Sequence, residues 1–99
     1  MKNNFSFDAK IWLYPGETAA WHFVSVPKKE SGVLHEIYKG KRRGWNSIRV
    51  EVRIGKTTWN TSMFFDRKGG QYLLPLKQAV RRAEGVLVGD KVKIKLTIV

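Results

Sequence analysis

The chain has 99 residues, 42% of them hydrophobic and 12% aromatic, which describes one globular domain with enough apolar side chains for a single core. Nineteen Lys and Arg against eight Asp and Glu give a formal charge of +11, and there is no cysteine. Disulfides, thiolate catalysis and cysteine-based zinc sites are therefore excluded. The charge points either to a polyanionic partner, nucleic acid first, or to a basic protein whose charge is incidental.

The opening MKNNFSFDAK lacks the apolar stretch of a signal peptide, and no apolar run approaches a membrane span. The expectation is a cytoplasmic protein without membrane contact. Residues 5–13 alternate Phe5, Phe7, Ala9, Ile11 and Leu13 with other positions, predicting a strand. A turn at 14–17 follows, then a second strand over 20–26, ended by Pro27. Residues 28–38 read as a helix with Val33, Leu34, Ile37 and Tyr38 on one face; Gly32 weakens it by roughly 1 kcal/mol relative to alanine.

Residues 39–46 (KGKRRGWN) form a glycine-punctuated basic loop. Residues 48–54 (IRVEVRI) alternate strictly, Gly55-Lys56 marks a hairpin, and 57–65 predict the strand that returns. A turn at 66–70 leads to a short apolar strand and a helix with Leu76, Ala79, Val80 and Ala83 as its stripe. Pro75 suits the first helical position and Gly85 the position just past the end. Gly89-Asp90 turns the chain into a last strand, with Val92, Ile94, Leu96 and Ile98 facing inward and Lys91, Lys93 and Lys95 outward.

The halves 5–54 and 57–99 repeat one pattern: strand, turn, strand, proline, helix, glycine turn, strand. Pro27 and Pro75 are the pivots. The expected fold is mainly β, a small closed or double-split β-barrel of about six strands with two short helices and a pseudo-twofold repeat in one domain.

Several segments carry a resemblance. They are GWNSIRVEV at 44–52, TWNTS at 58–62, YLLPLK at 72–77, Val80-Arg81, Ala83-Glu84-Gly85 and Gly89-Asp90. Together they resemble a family of small bacterial domains of unknown function, and AWHFV at 20–24 fits as well, so nearly the whole chain is covered. Some members of that family are fused to a bacteriocin-protection (OmpD-associated) domain, which implies a protein partner or structural role as an alternative. Phe65-Asp66 departs from the family at a turn where many relatives have proline after the phenylalanine. The strand–Pro–helix–Gly-Asp–strand order of 74–96 is also similar to the half-barrel of swapped-hairpin AbrB-like and MazE-like regulators. That likeness implies a single-chain pseudo-dimer barrel, a monomer or weak homodimer, and binding to DNA.

Among candidate sites the sharpest is Lys39, Lys41, Arg42 and Arg43 beside Trp45, a cluster suited to phosphates and a stacked base. The plainer reading is a solvated loop with Trp45 packed in the core. Arg81 and Arg82 with Lys77 form a second basic cluster. There the helix dipole explains cations in the last turn equally well. Lys91, Lys93 and Lys95 read as ordinary solubilising charge on an outer face. Pro27, Trp45, Trp59, Pro75, Gly85, Gly89 and Asp90 are expected to be structural.

His22 and His35 have no carboxylate at metal-ligand spacing, and His22 reads as a strand residue bonded locally. No nucleophile elbow or phosphate loop is present. No metal, no cofactor and no catalytic residue is expected. A small-ligand site inside the barrel is the remaining alternative, and it needs a cavity holding His22 or a carboxylate.

Overall fold

Strict alternation gives strands with one buried and one wet face, and residues 48–54 and 91–96 follow it residue by residue. The computed structural model describes residues 4–15, 21–38 and 47–99. The elements are β1 (Asn4–Lys10), β2 (Trp12–Tyr14), β3 (Trp21–Ser25), α1 (Lys28–Tyr38), β4 (Ser47–Ile54), β5 (Thr57–Asp66), β6 (Gln71–Pro75), α2 (Gln78–Glu84) and β7 (Lys91–Ile98). They form one seven-stranded antiparallel sheet in the order β1-β7-β4-β5-β6-β3-β2, strongly curled into a half-barrel with the two helices.

The core is the concave face. Val50 and Val52 of β4, Met63 of β5, Leu74 of β6, and Ile94 and Leu96 of β7 are buried there with Val24, Val26 and Leu34. Each such side chain contributes about 1.5–3 kcal/mol by leaving water. Neither described helix is long and apolar enough to cross a membrane.

The strand expected over 5–13 is two strands. β1 pairs with β7 and β2 with β3, so consecutive stretches of chain sit at opposite ends of the strand order. Between them Ile11 is buried, accepting a backbone bond from Gly89 and donating one to Asp90 (2.8 and 2.9 Å). The apolar alternation runs through Ile11 unbroken, so polarity carries no sign of this change of partner. Among the described residues there are therefore seven strands where about six were expected.

Pro75 is not the first helical residue. It ends β6 opposite Phe23, and Lys77, extended at φ −70 and ψ 158, caps α2. Proline has no N–H to give the ladder, and Pro75 stands where the pairing of β6 with β3 ends. The stripe of α2 narrows to Leu76 and Val80; Ala79 and Ala83 are exposed. On α1, Leu34 and Ser31 are the buried residues and Val33 is exposed.

Gly85 caps α2 at φ 63, the left-handed geometry that glycine adopts without a side-chain clash. Asp90 shapes the following turn: its carboxylate accepts from the Leu87 N–H (2.8 Å) and its own N–H donates to the Leu87 carbonyl (3.0 Å). The far end of α2 is pinned to the β4–β5 hairpin, where the Thr57 hydroxyl donates to the Glu84 carboxylate lying over Gly55.

Candidate functional site

The cleft arises where β6 changes neighbours. Residues 71–73 pair with β5 and residues 73–75 with β3, so Leu73 belongs to both ladders. Beyond Phe64 no further pair joins β5 to β6 among the described residues, and a split opens between Trp59–Asn60–Thr61 on one side and Pro75–Leu76 on the other. The N-terminal end of α2 stands over this split and delivers Lys77 and Arg81, while β3 supplies Trp21 and His22. The result is a cleft of about 290 Å³.

Arg81 is half-buried and doubly held. Its Nε donates to the Leu76 carbonyl (3.1 Å) and its Nη1 lies 3.3 Å from His22 Nε2. A guanidinium only donates, so His22 accepts through an unprotonated Nε2 in this contact. His22 meets in this way a residue 59 positions away. Trp21 is 57% exposed, and its indole lies nearly parallel to Phe23 (15°, centroids 6.4 Å apart). Trp12, Tyr14 and Phe23 continue this aromatic surface across the β2–β3 pair.

A matching set of bonds exists under α1. Ser31 Oγ donates to the Val26 carbonyl (2.9 Å) and accepts from the Tyr72 N–H (3.0 Å). The Ser31 N–H donates to the Pro27 carbonyl, as the Arg81 N–H does to the Lys77 carbonyl. Val26 N donates to Tyr72 O, as Leu76 N does to His22 O. Every partner stands 50 positions from its counterpart (31 and 81, 26 and 76, 27 and 77, 22 and 72). Thus Lys77, and not Pro75, occupies the place of Pro27. Ser31 and Tyr72 are buried at 0% and 3% exposure. The same frame is closed under α1 and open under α2.

A second region is the convex face of β1, β7 and β4. In register, Arg53 lies opposite Lys95 and Lys10 opposite Lys91, with Asp8 opposite Lys93 and Glu51 opposite Thr97. Lys10, Arg49, Arg53, Lys91, Lys93 and Lys95 are all exposed there, against the two carboxylates Asp8 and Glu51. Arg53, Gly55, Lys93 and Lys95 surround a depression of about 300 Å³, where Arg53 Nε donates to the Gly55 carbonyl (3.0 Å).

Of the residues singled out in the sequence, Lys39, Lys41, Arg42, Arg43 and Trp45 lie outside the described residues. Arg81 lines the cleft and, together with Arg82, Gly85 and Leu87, also borders a second depression, where Arg82 is exposed. Trp59 is buried and also lines the cleft. His35 is distant from His22 in the fold and stacks on Phe65 (4.2 Å, 13°). No group of His, Asp or Glu able to hold a metal occurs among the described residues.

Sequence reasoning passed over Trp21, Asn60 and Thr61, because a split between strands leaves no periodic mark. It also discounted Lys91, Lys93 and Lys95. The available signal was a pair of alternating strands, 48–54 and 91–98, each with cations outward. Their adjacency is the missing fact, and it comes from register.

No curated protein matches the chain. One family model does match, that described as Domain of unknown function (DUF1905), over residues 7–96. The match takes in the split, the cleft-lining residues and the basic face, and the chain belongs to this family.

Proposed function

We propose that the protein is a non-catalytic binding module for a polyanion, nucleic acid foremost, and that it binds through the convex face of β1, β7 and β4. The observation that carries this reading is the pair of in-register like-charge contacts, Arg53 with Lys95 and Lys10 with Lys91. Like charges directly opposite one another destabilise a sheet. A line of phosphates laid along β7 would relieve that repulsion and release counterions from several lysines at once. Arg82 and the basic residues Lys39, Lys41, Arg42 and Arg43 would add phosphate contacts to the same partner.

The proposal extends to the finer architecture, a six-stranded barrel made of two repeats. Two observations support it: β1 and β2 are parted by Ile11 alone, and exchanging the halves turns each strand pairing into another observed one. Under that exchange β1–β7 becomes β5–β4 and β2–β3 becomes β5–β6, while β4–β7 and β3–β6 map onto themselves.

The test is fluorescence anisotropy with duplex and single-stranded oligonucleotides at several salt concentrations. With six phosphate contacts, affinity should fall on the order of a thousandfold between 50 and 200 mM salt. The double variant Lys93→Glu, Lys95→Glu should abolish binding. Salt-insensitive binding, or unchanged affinity in that variant, would defeat the reading and leave a protein partner as the better account of this surface.

A further inference from the structure

We infer that the Arg81 cleft binds a small ligand consisting of a flat aromatic ring that carries one anionic group, a carboxylate or a phosphate. The inference goes beyond the polyanion reading, because the cleft is built on β3, β5, β6 and α2 and not on the basic face.

Under α1 a serine makes both bonds, to the carbonyl of residue 26 and to residue 72, and it is wholly buried. Under α2 the carbonyl bond is made by Arg81 Nε, and where Ser31 accepts from a backbone N–H, Arg81 Nη1 instead meets the His22 ring. The guanidinium charge and its remaining donors are surplus to the frame, and Arg81 lines the open cleft. A planar fork fixed at two points has already lost its rotamer freedom, so it can accept a carboxylate or phosphate in parallel geometry at little further ordering cost.

The rest of the lining fits a ring. Trp21 and Trp59 supply flat apolar surface, Asn60 and Thr61 supply polar groups for a ring edge, and Lys77 adds a second cation. Among the described residues no carboxylate lines the cleft to compete for the fork. At about 290 Å³ the space is at the lower end for small-molecule sites, suited to one compact molecule and not to a polymer. Trp21 itself is held parallel to Phe23, so a stacking partner meets an ordered platform.

The test uses the indole Nε1–H and arginine Nε–H signals of the full chain in nitrogen-15 correlation spectra. Two ring-bearing anions are titrated, indole-3-acetate for a carboxylate and adenosine 5′-monophosphate for a phosphate. Acetate and adenosine are the controls, each lacking one half of the ligand. The expected result is a saturable shift of the Trp21, Trp59 and Arg81 signals with one or both anions, at least about tenfold stronger than with either control. Saturation by one anion and not the other identifies the anionic group.

Arg81→Lys keeps the charge and loses the fork, and should weaken binding about tenfold. Trp21→Ala removes an exposed ring and should weaken it similarly, while the pair Lys93→Glu, Lys95→Glu should leave it unchanged. Thermal melts of Trp21→Ala and Arg81→Lys confirm that each variant is folded before it is scored. The inference is overturned if neither anion saturates below ~10 mM. It is equally overturned if folded Arg81→Lys binds as the parent does, or if the shifts map to the basic face.

Discussion

Ser31 and Arg81 occupy matching places in matching hydrogen-bond frames, yet one is sealed and the other opens to solvent. The backbone pattern is the same in both: a helix N–H bonded four residues back, a strand N–H bonded across to β6 or β3, and a side chain that bonds the carbonyl five residues before it. What differs is the occupant and its neighbour. Serine with Tyr72 fills its place, and Phe65 packs edge-on against that tyrosine (5.0 Å, 60°). Arginine with His22 leaves a void bordered by two tryptophans. Frame and site are therefore separable: the main chain holds the helix, and a single side chain decides between wall and pocket.

Exchanging the occupants tests that separation most severely. Ser31→Arg would place a guanidinium in a position with no solvent access, and should cost on the order of 4 kcal/mol or more in urea denaturation, or prevent folding. Ser31→Ala should cost about 1–3 kcal/mol, because the Tyr72 N–H loses its partner and the Val26 carbonyl loses one of its donors. Gln71 Nε2 also donates to that carbonyl (3.1 Å), which keeps the loss toward the lower end. Arg81→Ser should cost about 1 kcal/mol or less, since the cleft lets water reach the Leu76 carbonyl. Equal losses for Ser31→Ala and Arg81→Ser would erase the distinction between the two places.

The smallest effect concerns alkaline pH. Burial pushes the Tyr72 hydroxyl above its ordinary value of 10.0. The folded state then holds this proton more tightly than the unfolded chain, so the contribution is complete below pH 10.0 and is lost as pH rises through the higher folded value. Tyr72→Phe should flatten that part of the stability profile in melts recorded from pH 9 upward.

Much of the scaffold was legible. β4 and β7 are strict alternations, α1 has its expected bounds, and Gly85, Gly89 and Asp90 act through backbone geometry as their types suggest. The break at Ile11 was not legible, because a strand that changes partner keeps its period of two. The cleft was less legible still. Its residues come from positions near 21, 60, 75 and 81, and they meet because β6 leaves β5 for β3 after Leu73, a choice made by long-range pairing. Arg81 stands out in the sequence as one of a basic cluster on a helix, but its charge alone does not reveal that it reaches His22.

The position of β7 bears on how the chain is made. It is the last strand in sequence, yet it lies between β1 and β4 and bonds to both. A chain emerging from the ribosome at about 5–20 residues per second can zip β4 to β5 and β5 to β6 as each appears. β1 has no ladder until β7 arrives some eighty residues later, with Asn4 pairing with Thr97. Until then its apolar face (Phe5 and Phe7) and its unpaired edge are open to other nascent chains, so a chaperone that shields the first dozen residues would raise the folded yield more than one acting later.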